Sequence, residues 1–268
     1  MGINKIKVAV SGACGRMGQE VVKAVLGDND LELAAAIDVT NVGKDIGEVV
    51  LKEQAGVNIE SSLKEALISS KADVVVDFTS PDNVFGNVKT ALEANVRPVV
   101  GTTGLSEAQL EELKKLSQSK NLSALVAPNF TTGAVLMMMF AKTAAKYFDN
   151  AEIIELHHNK KKDAPSGTAI KTAQMMAESN NDFTKGNVEE TELIKCARGA
   201  NAEANIHIHS VRMPGFMAHQ EVIFGALGQV LTIRHDSFER TCYMPGVIMA
   251  IKNVMGHSDF IYGLENIL

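Results

Sequence analysis

Tryptophan is absent from this sequence of 268 residues, and cysteine occurs only three times, at positions 14, 196 and 242. An odd cysteine count without metal-ligand spacing predicts neither a disulfide framework nor a zinc site, and it fits a reducing compartment. His207, His209 and His219 lie close together, but no carboxylate or cysteine spacing accompanies them. We therefore expect no metal site.

Positive charge and long hydrophobic runs are also scarce. There are 26 Lys and Arg against 32 Asp and Glu, a formal net charge of −6, so we expect no nucleic-acid partner. The longest apolar run, Ala134–Ala141, is too short to span a bilayer. From Met1 the chain enters an apolar strand almost at once, which argues against a signal peptide. We expect a cytoplasmic protein that does not bind membranes.

The first half of the chain alternates short apolar runs with segments of helical spacing. Helices are predicted at Gln19–Leu26, at about 82–95 and at about 106–120. Five apolar runs predict buried parallel strands: Ile6–Ser11, Leu31–Ile37, Val74–Phe78, Pro98–Val100 and Ala124–Val126. This alternation predicts an α/β fold with a Rossmann-like doubly wound parallel sheet.

A glycine-rich loop follows the first predicted strand. Its glycines, Gly12, Gly15 and Gly18, are spaced differently from the commoner Gly-x-Gly-x-x-Gly pattern. Glycine permits a tight turn and a close approach of the backbone to a pyrophosphate, and Asp38 ends the second strand, where an acidic residue binds ribose. The pattern predicts a dinucleotide site; the alternative is a tight turn that binds no ligand.

The pattern changes after residue 130. Thr131–Phe148 predicts a long helix whose methionines pack in the core, and a strand follows at Ala151–Leu156. Further strands are predicted at Ala204–Val211, Glu221–Phe224 and Gln229–Ile233. This predicts a second, α+β domain with a mostly antiparallel sheet. A final helix at about 238–255 and a short tail return to the first domain, so we expect domains at 1–130 with 238–268 and at 131–237.

The segment after the strand at 151–156 contains several residues that can donate protons or bind an anion. His157, His158 and three lysines at positions 160–162 precede Pro165, which ends the preceding structure, and Ser166, which can cap a helix. N–H groups at residues 167–169 are then free to bind an anion. Proton donors beside a carboxylate site indicate an enzyme acting on a small anionic substrate. The alternative is that the histidines merely end a strand.

The run from Glu152 to Ala169 resembles the signature of the 4-hydroxy-tetrahydrodipicolinate reductase (dihydrodipicolinate reductase) family of bacterial lysine biosynthesis. The resemblance covers nearly the whole chain. It implies reduction of a dihydrodipicolinate-type cyclic imine to tetrahydrodipicolinate in the diaminopimelate and lysine pathway, with NADH or NADPH as reductant and a small dicarboxylate as substrate. It also implies a homotetramer joined through the sheet of the second domain.

The resemblance assigns roles to individual residues. His157 matches the family's catalytic acid/base, Lys161 its catalytic proton donor and His158 a substrate-binding histidine. Histidine suits the transfer because it titrates at about 6.5 when unperturbed. The lysine–histidine cluster can bind one substrate carboxylate. The other carboxylate is expected at the helix start, at Ser166, Gly167 and Thr168. Asp163 is expected to hydrogen-bond backbone N–H groups of its loop.

Cofactor-binding residues are implied in three loops and at Asp38. They are Gly12, Ala13, Cys14, Gly15, Arg16 and Met17, then Gly101, Thr102 and Thr103, then Ala127, Pro128, Asn129 and Phe130. Many family members have small residues in place of Cys14 and Pro128. Members that use NADPH well commonly have arginine after the acidic residue, where this chain has Val39. We therefore expect NADH to serve at least as well as NADPH.

Two other functions share parts of this pattern. Another two-domain nicotinamide oxidoreductase would share the first domain but lack the His-His-x-x-Lys and Ser-Gly-Thr pairing. If it used a thiol nucleophile it would need a placed cysteine, and Cys196 has no such context. A non-catalytic redox sensor that binds NADH usually carries a DNA-binding module, and no basic helix-turn-helix segment is present.

Overall fold

Strands alternate with helices along the first part of the chain in the computed structural model, which describes residues 5–184 and 191–268. One unit comprises Met1–Thr131 and Tyr243–Leu268, and the other comprises Thr132–Cys242. The first unit begins with β1 (Ile6–Ser11), α1 (Arg16–Gly27), β2 (Leu31–Ile37), α2 (Ile46–Val50), β3 (Ile59–Glu60), α3 (Leu63–Ser70), β4 (Val74–Asp77), α4 (Pro81–Glu93), β5 (Arg97–Val100), α5 (Glu107–Lys120) and β6 (Ala124–Val126).

The chain then forms the second unit and returns to complete the first. The second unit contains α6 (Thr132–Ala144), β7 (Asn150–His157), α7 (Gly167–Ala177), β8 (Ala200–Asn201), β9 (His207–Arg212), β10 (Ala218–Ala226) and β11 (Gln229–Ser237). The first unit resumes with α8 (Met244–Asn253) and β12 (Phe260–Tyr262). Within the described residues, no helix is long and apolar enough to cross a membrane.

All neighbouring strands of the first sheet are parallel, in the order β12-β6-β5-β4-β1-β2-β3. The chain moves outward from β1 to β2 and β3, then returns to place β4 on the other side of β1. The carboxyl ends of β1 and β4 therefore flank the switch point at which such sheets bind ligands. The prediction of a doubly wound parallel sheet is confirmed.

Strand β12 is an element that the sequence did not reveal. Phe260–Tyr262 pairs in parallel with Ala124–Val126 and forms one edge of the sheet. The sequence analysis assigned this segment to a tail, because three residues are too few to establish a period-two pattern.

The second sheet has the order β11-β10-β7-β9-β8. Only the β7–β9 pair is parallel among its described strands, so the prediction of a mostly antiparallel sheet is confirmed. Buried residues of α6 and α7, including Ala141 and Ala173, pack with Ile153 and Val222 of the sheet. Because side chains alternate along a strand, β7 presents residues 153, 155 and 157 to one face.

Three predicted boundaries in this part of the chain were wrong. Helix α6 ends at Ala144 rather than at Phe148, because i→i−3 hydrogen bonds such as Tyr147 N–H to Ala144 O (2.9 Å) tighten its last turn. The strand expected from Ala204 begins at His207, since Ala204 (φ 53°) and Asn205 (φ 65°) form a turn. The final helix begins at Met244, because Pro245 fits only the first turn of a helix.

Candidate active site

The turn between β1 and α1 is built around two glycines. Gly12 has φ +79°, and a Cβ there would lie 2.5 Å from the carbonyl oxygen of Phe78, at the end of β4. A Cβ on Gly18 would lie 1.9 Å from the carbonyl oxygen of Gly12. The glycines thus let α1 start directly against the turn, at the switch point of the sheet.

The N-terminus of α1 is open. Gly15 occupies the cap position without a side-chain hydrogen bond, the first turn has no acidic residue, and Gly15 and Arg16 are both exposed. A helix N-terminus in this state presents unpaired N–H groups and the positive end of the helix dipole. This turn therefore fits a phosphate or pyrophosphate group.

Asp38 ties the end of β2 to the glycine turn. Its Oδ2 accepts a hydrogen bond from Cys14 N–H (2.9 Å), and its Oδ1 accepts from the N–H (2.9 Å) and hydroxyl (2.8 Å) of Thr40. An ionised carboxylate has about four acceptor sites, so capacity for a ribose hydroxyl remains. The adjacent Val39 is 87% exposed and brings no charge.

Asp77 organises the loops that follow β4 and β5. This buried carboxylate accepts hydrogen bonds from the hydroxyls of Thr102 (2.6 Å) and Thr79 (2.8 Å) and from the side-chain amide of Asn87 (2.8 Å). The family resemblance includes the run Asp77-Phe78-Thr79 among the cofactor and active-site loops, but it assigns Asp77 no role. An acidic residue that ends an apolar parallel strand, as Asp38 also does, was the available signal.

The remaining cofactor candidates divide by exposure. Thr103 and Pro128 are exposed and available to a ligand, whereas Thr102 is buried against Asp77. Gly101 leaves room for the ring of Phe78, which a Cβ would approach to 2.1 Å. The other buried candidates are Ala13, Ala127 and Phe130, and the half-buried ones are Cys14, Met17 and Asn129. The buried candidates shape the loops, so direct ligand contacts are expected from the exposed ones and from backbone groups.

In the second unit, β7 places Glu155 and His157 on the same face of the sheet. The Glu155 side chain is 0% exposed and that of His157 is 14% exposed. A hydrogen bond joins His157 Nδ1 to Glu155 Oε2. The imidazole is therefore held through one ring nitrogen, which leaves Nε2 as the nitrogen for other partners.

Arg212, at the end of β9, neutralises the buried glutamate. Its Nη1 and Nη2 donate to Glu155 Oε2 (2.9 Å) and Oε1 (2.7 Å), and Ser166 N–H also donates to Oε1 (3.2 Å). Burial by itself raises the pKa of Glu155, but hydrogen bonds from His157, Arg212 and Ser210 outweigh it and lower the pKa to about 2. Glu155 is thus ionised at neutral pH, and the sequence analysis nominated neither Glu155 nor Arg212.

Asp163 links Lys161 to the cluster formed by Glu155, His157 and Arg212. The Lys161 ammonium donates to both carboxylate oxygens of Asp163 (2.9 and 2.7 Å), and this hydrogen bond lowers the pKa of Asp163. The main partner of Asp163 is therefore the lysine, rather than the backbone N–H groups expected from the sequence. Arg212 also donates to the carbonyl oxygen of Asp163 (2.9 Å), which connects Lys161 to the glutamate–histidine pair.

The start of α7 is capped as predicted. Ser166 is buried, and its hydroxyl accepts from Ala169 N–H (3.2 Å), so that N–H group is not free as expected. The N–H groups of Gly167 and Thr168 have no acceptor within residues 5–184 and 191–268. A Cβ on Gly167 would meet no atom within 4 Å, so open space adjoins this helix start. His158 is exposed, and its Nδ1 accepts from Lys160 N–H (3.2 Å).

Acid should destabilise the folded protein through Glu155. Its folded pKa of about 2 lies below the ordinary value of 4.5, so its contribution to stability is present above pH 4.5 and is lost as the pH falls toward 2. We expect the free energy of unfolding, from urea titrations, to fall between about pH 5 and about pH 3, and to fall less steeply in Glu155→Gln. Equal pH slopes in the two proteins would contradict this assignment.

Comparison with known proteins gives matches along the entire chain. A family model described as dihydrodipicolinate reductase, N-terminus, matches residues 6–130, and one described as dihydrodipicolinate reductase, C-terminus, matches residues 133–268. The 4-hydroxy-tetrahydrodipicolinate reductase of a Picosynechococcus species is 53% identical over 99% of both chains. That of Listeria welshimeri is 55% identical over 98% of this chain and 100% of its own.

A solved structure shows the same architecture. Dihydrodipicolinate reductase from Paenisporosarcina sp. TG-14, with dipicolinate bound, has a TM-score of 0.90 to this chain. The two are 45% identical, and the match covers 98% of this chain and 100% of the other.

Proposed function

The chain belongs to the dihydrodipicolinate reductase family, and we propose that it catalyses the reaction of that family. In this reaction NADH or NADPH reduces a dihydrodipicolinate-type cyclic imine to tetrahydrodipicolinate, in diaminopimelate and lysine biosynthesis. The protein is an oxidoreductase that binds a nicotinamide cofactor. The observation that carries the proposal is the network in which Glu155, His157 and Arg212 adjoin the open start of α7.

The cofactor is assigned to the first unit. The turn at Gly12 and Gly18, which a Cβ would obstruct, and the uncapped start of α1 fit its pyrophosphate, and Asp38 fits its adenosine ribose. Thr103 and Pro128 are exposed in the later loops and are proposed to contact the same cofactor. The bound dihydronicotinamide supplies the hydride, and the residues of the chain orient it and supply the proton.

His157 is proposed as the proton donor to the carbon adjacent to the one that accepts the hydride. A positioned general acid of this kind contributes roughly 10²- to 10⁴-fold to the rate. Lys161 is proposed to stabilise the developing negative charge or to deliver the proton. Its ammonium has three donors, and its pairing with Asp163 leaves one of them for a substrate oxygen.

The substrate is proposed to be a small dicarboxylate with one anion site for each carboxylate. The N–H groups of Gly167 and Thr168 at the start of α7 support the first site, because N–H groups without acceptors at a helix N-terminus favour negative charge. His158, exposed beside the lysines at positions 160–162, supports the second.

We also propose that the protein is a cytoplasmic homotetramer assembled through the second sheet. The sheet face opposite the one formed by Ile153 and Val222 carries Ile154 and Ile223, which are only partly buried. None of the three cysteines is joined in a disulfide within the described residues, which supports a reducing location.

A coupled assay tests the proposed function. The condensation product of pyruvate and aspartate semialdehyde is added to the protein with NADH or NADPH, and the loss of the reduced nicotinamide is followed by absorbance. We expect turnover and formation of tetrahydrodipicolinate. Binding of the nicotinamide without turnover would instead support the redox-sensor alternative and overturn the proposal.

The first carboxylate site is tested with Thr168→Val. A planar aromatic 2,6-dicarboxylate should inhibit competitively against substrate, and the substitution should raise its inhibition constant about tenfold or more, because a hydrogen bond to a charged group is lost. Thr143→Val, in α6, removes a hydroxyl bonded to its own helix and serves as the matched control. Equal inhibition by a monocarboxylate analogue would count against two anion sites.

Cofactor preference is tested at Val39. Asp38 favours the ribose hydroxyls of NADH and repels a 2′-phosphate, so we expect NADH to be used at least as well as NADPH. Val39→Arg should shift the ratio of kcat/KM values toward NADPH by up to about tenfold, a gain near 1.4 kcal/mol. Val42→Arg, at another exposed valine, should shift it less. A wild-type preference for NADPH of about tenfold or more would show that another cation, such as Arg16 or Lys44, binds the phosphate.

A further inference from the structure

Glu155 is a buried carboxylate that takes no direct part in the proposed hydride or proton transfer. Its side chain is 0% exposed, near the carboxyl end of the central strand β7. Removing a carboxylate from water is costly unless hydrogen bonds and counter-charges compensate it. Glu155 is compensated from three segments, by Arg212, by Ser166 N–H and by His157 Nδ1.

The contact with His157 does more than help to compensate the buried charge. Arg212 already forms a two-bond pair with both carboxylate oxygens, and Ser166 adds a third donor. The hydrogen bond to His157 makes an ionised carboxylate the acceptor for one ring nitrogen. An acceptor-only partner selects the imidazole form that carries a proton on that nitrogen.

A second glutamate on the same strand provides an internal comparison. Glu152 also contacts an arginine and a histidine, Arg198 (2.6 Å) and His209 (2.7 Å), but on the opposite face of the sheet and with a side chain 34% exposed. The two clusters therefore share their chemistry and differ in burial and in proximity to α7.

We propose that Glu155 is a positioning residue, which keeps the Nδ1 proton on His157 and so makes Nε2 the nitrogen that protonates the substrate. The inference rests on the proposed function, in which His157 is the proton donor. The hydride and its two electrons come from the reduced nicotinamide, and the proton leaves Nε2 for the substrate carbon. Glu155 gains no proton: His157 ends neutral, with Nδ1–H still bonded to the carboxylate, and water reprotonates Nε2.

A double-mutant cycle separates positioning from general support of the fold. Glu155→Gln should lower kcat roughly 10- to 100-fold, with a smaller change in KM, as expected for loss of a partner that orients a functional histidine. In the His157→Gln background the same change should lower kcat by less than about threefold, because the group it positions is already absent. Equal losses in the two backgrounds would overturn the proposal. Glu152→Gln is the matched control; because Glu152 lies on the sheet face proposed for assembly, size-exclusion chromatography checks its oligomeric state, and both that state and kcat should be unchanged.

A second measurement needs neither substrate nor a change at Glu155. In protein containing ¹⁵N-histidine, long-range ¹H–¹⁵N correlation spectra identify the protonated nitrogen of each neutral ring, and the His157→Gln spectrum assigns the signals of His157. We expect the Nδ1–H form, whereas a predominant Nε2–H form would overturn the proposal, even if Glu155→Gln failed to fold. Absence of wild-type turnover would contradict the proposed function. The spectrum would still show, independently, which nitrogen of His157 carries the proton.

Discussion

Replacing His157 with glutamine should lower kcat about 10²- to 10⁴-fold while changing the KM for substrate little. The reason is that, in the proposed mechanism, its proton is needed only in the transition state, whereas the proposed carboxylate sites lie at the start of α7 and at His158 with its neighbouring lysines. Glutamine preserves approximate size and a hydrogen-bonding side chain toward Glu155, so the fold should be retained. Lys161→Ala is expected to act in the same direction.

Steady-state kinetics with saturating NADH measure this effect. His209→Gln is the matched control, because His209 also bonds a glutamate of β7, Glu152, but on the opposite face of the sheet. It should retain wild-type kcat. If His157→Gln turned over substrate at the wild-type rate, His157 would have no part in the proton transfer.

Replacing Gly18 with alanine should weaken NADH binding about 100-fold, because displacing the turn would remove one or two hydrogen bonds to the charged pyrophosphate, each worth about 1.5–3 kcal/mol. The added Cβ would lie 1.9 Å from the carbonyl oxygen of Gly12, and that atom belongs to rigid backbone rather than to a flexible side chain. The turn that is proposed to bind the pyrophosphate must therefore move. Overpacking should also cost about 1–3 kcal/mol of stability.

Calorimetric titration with NADH and urea unfolding measure the two effects. Gly27→Ala, at the other end of α1, is the control, because a Cβ there would meet nothing within 4 Å. It should bind NADH as the wild type does and unfold at a similar or higher urea concentration. Wild-type NADH affinity in Gly18→Ala would show that the cofactor does not rest on this turn.

The first sheet was predictable where its signals are local. Buried parallel strands such as Ile6–Ser11 are continuous apolar runs, and the helices between them have their own periodicity. Strand β12 has three residues and takes its conformation from Ala124–Val126, more than 130 positions earlier. Pairing over that distance leaves no mark in the local pattern of the sequence.

In the candidate site, too, only the residues that are close in sequence could be predicted. Ser166 and His157 belong to one short segment, so the sequence could assign both to one site. Arg212 reaches Glu155 only because β9 pairs with β7, with His157 opposite Arg212 in the register. Asp77 likewise meets Thr102 only once β4 and β5 are paired. Ion pairs and hydrogen bonds between distant segments follow from tertiary pairing, which the sequence analysis did not resolve to individual residues.

Stability and activity favour different residues at position 167, where open space adjoins the glycine. No contact within the described residues requires a glycine at this first position of α7, since a Cβ there would lie within 4 Å of none of their atoms. Alanine in a helix is more stable than glycine by roughly 0.5–1 kcal/mol, so the fold alone would favour alanine. A methyl group would, however, take up part of the open space at the helix start to which the substrate carboxylate is assigned. Selection for thermal resistance alone should therefore accept a larger residue at this position and erode catalysis there, whereas selection for activity should keep the glycine.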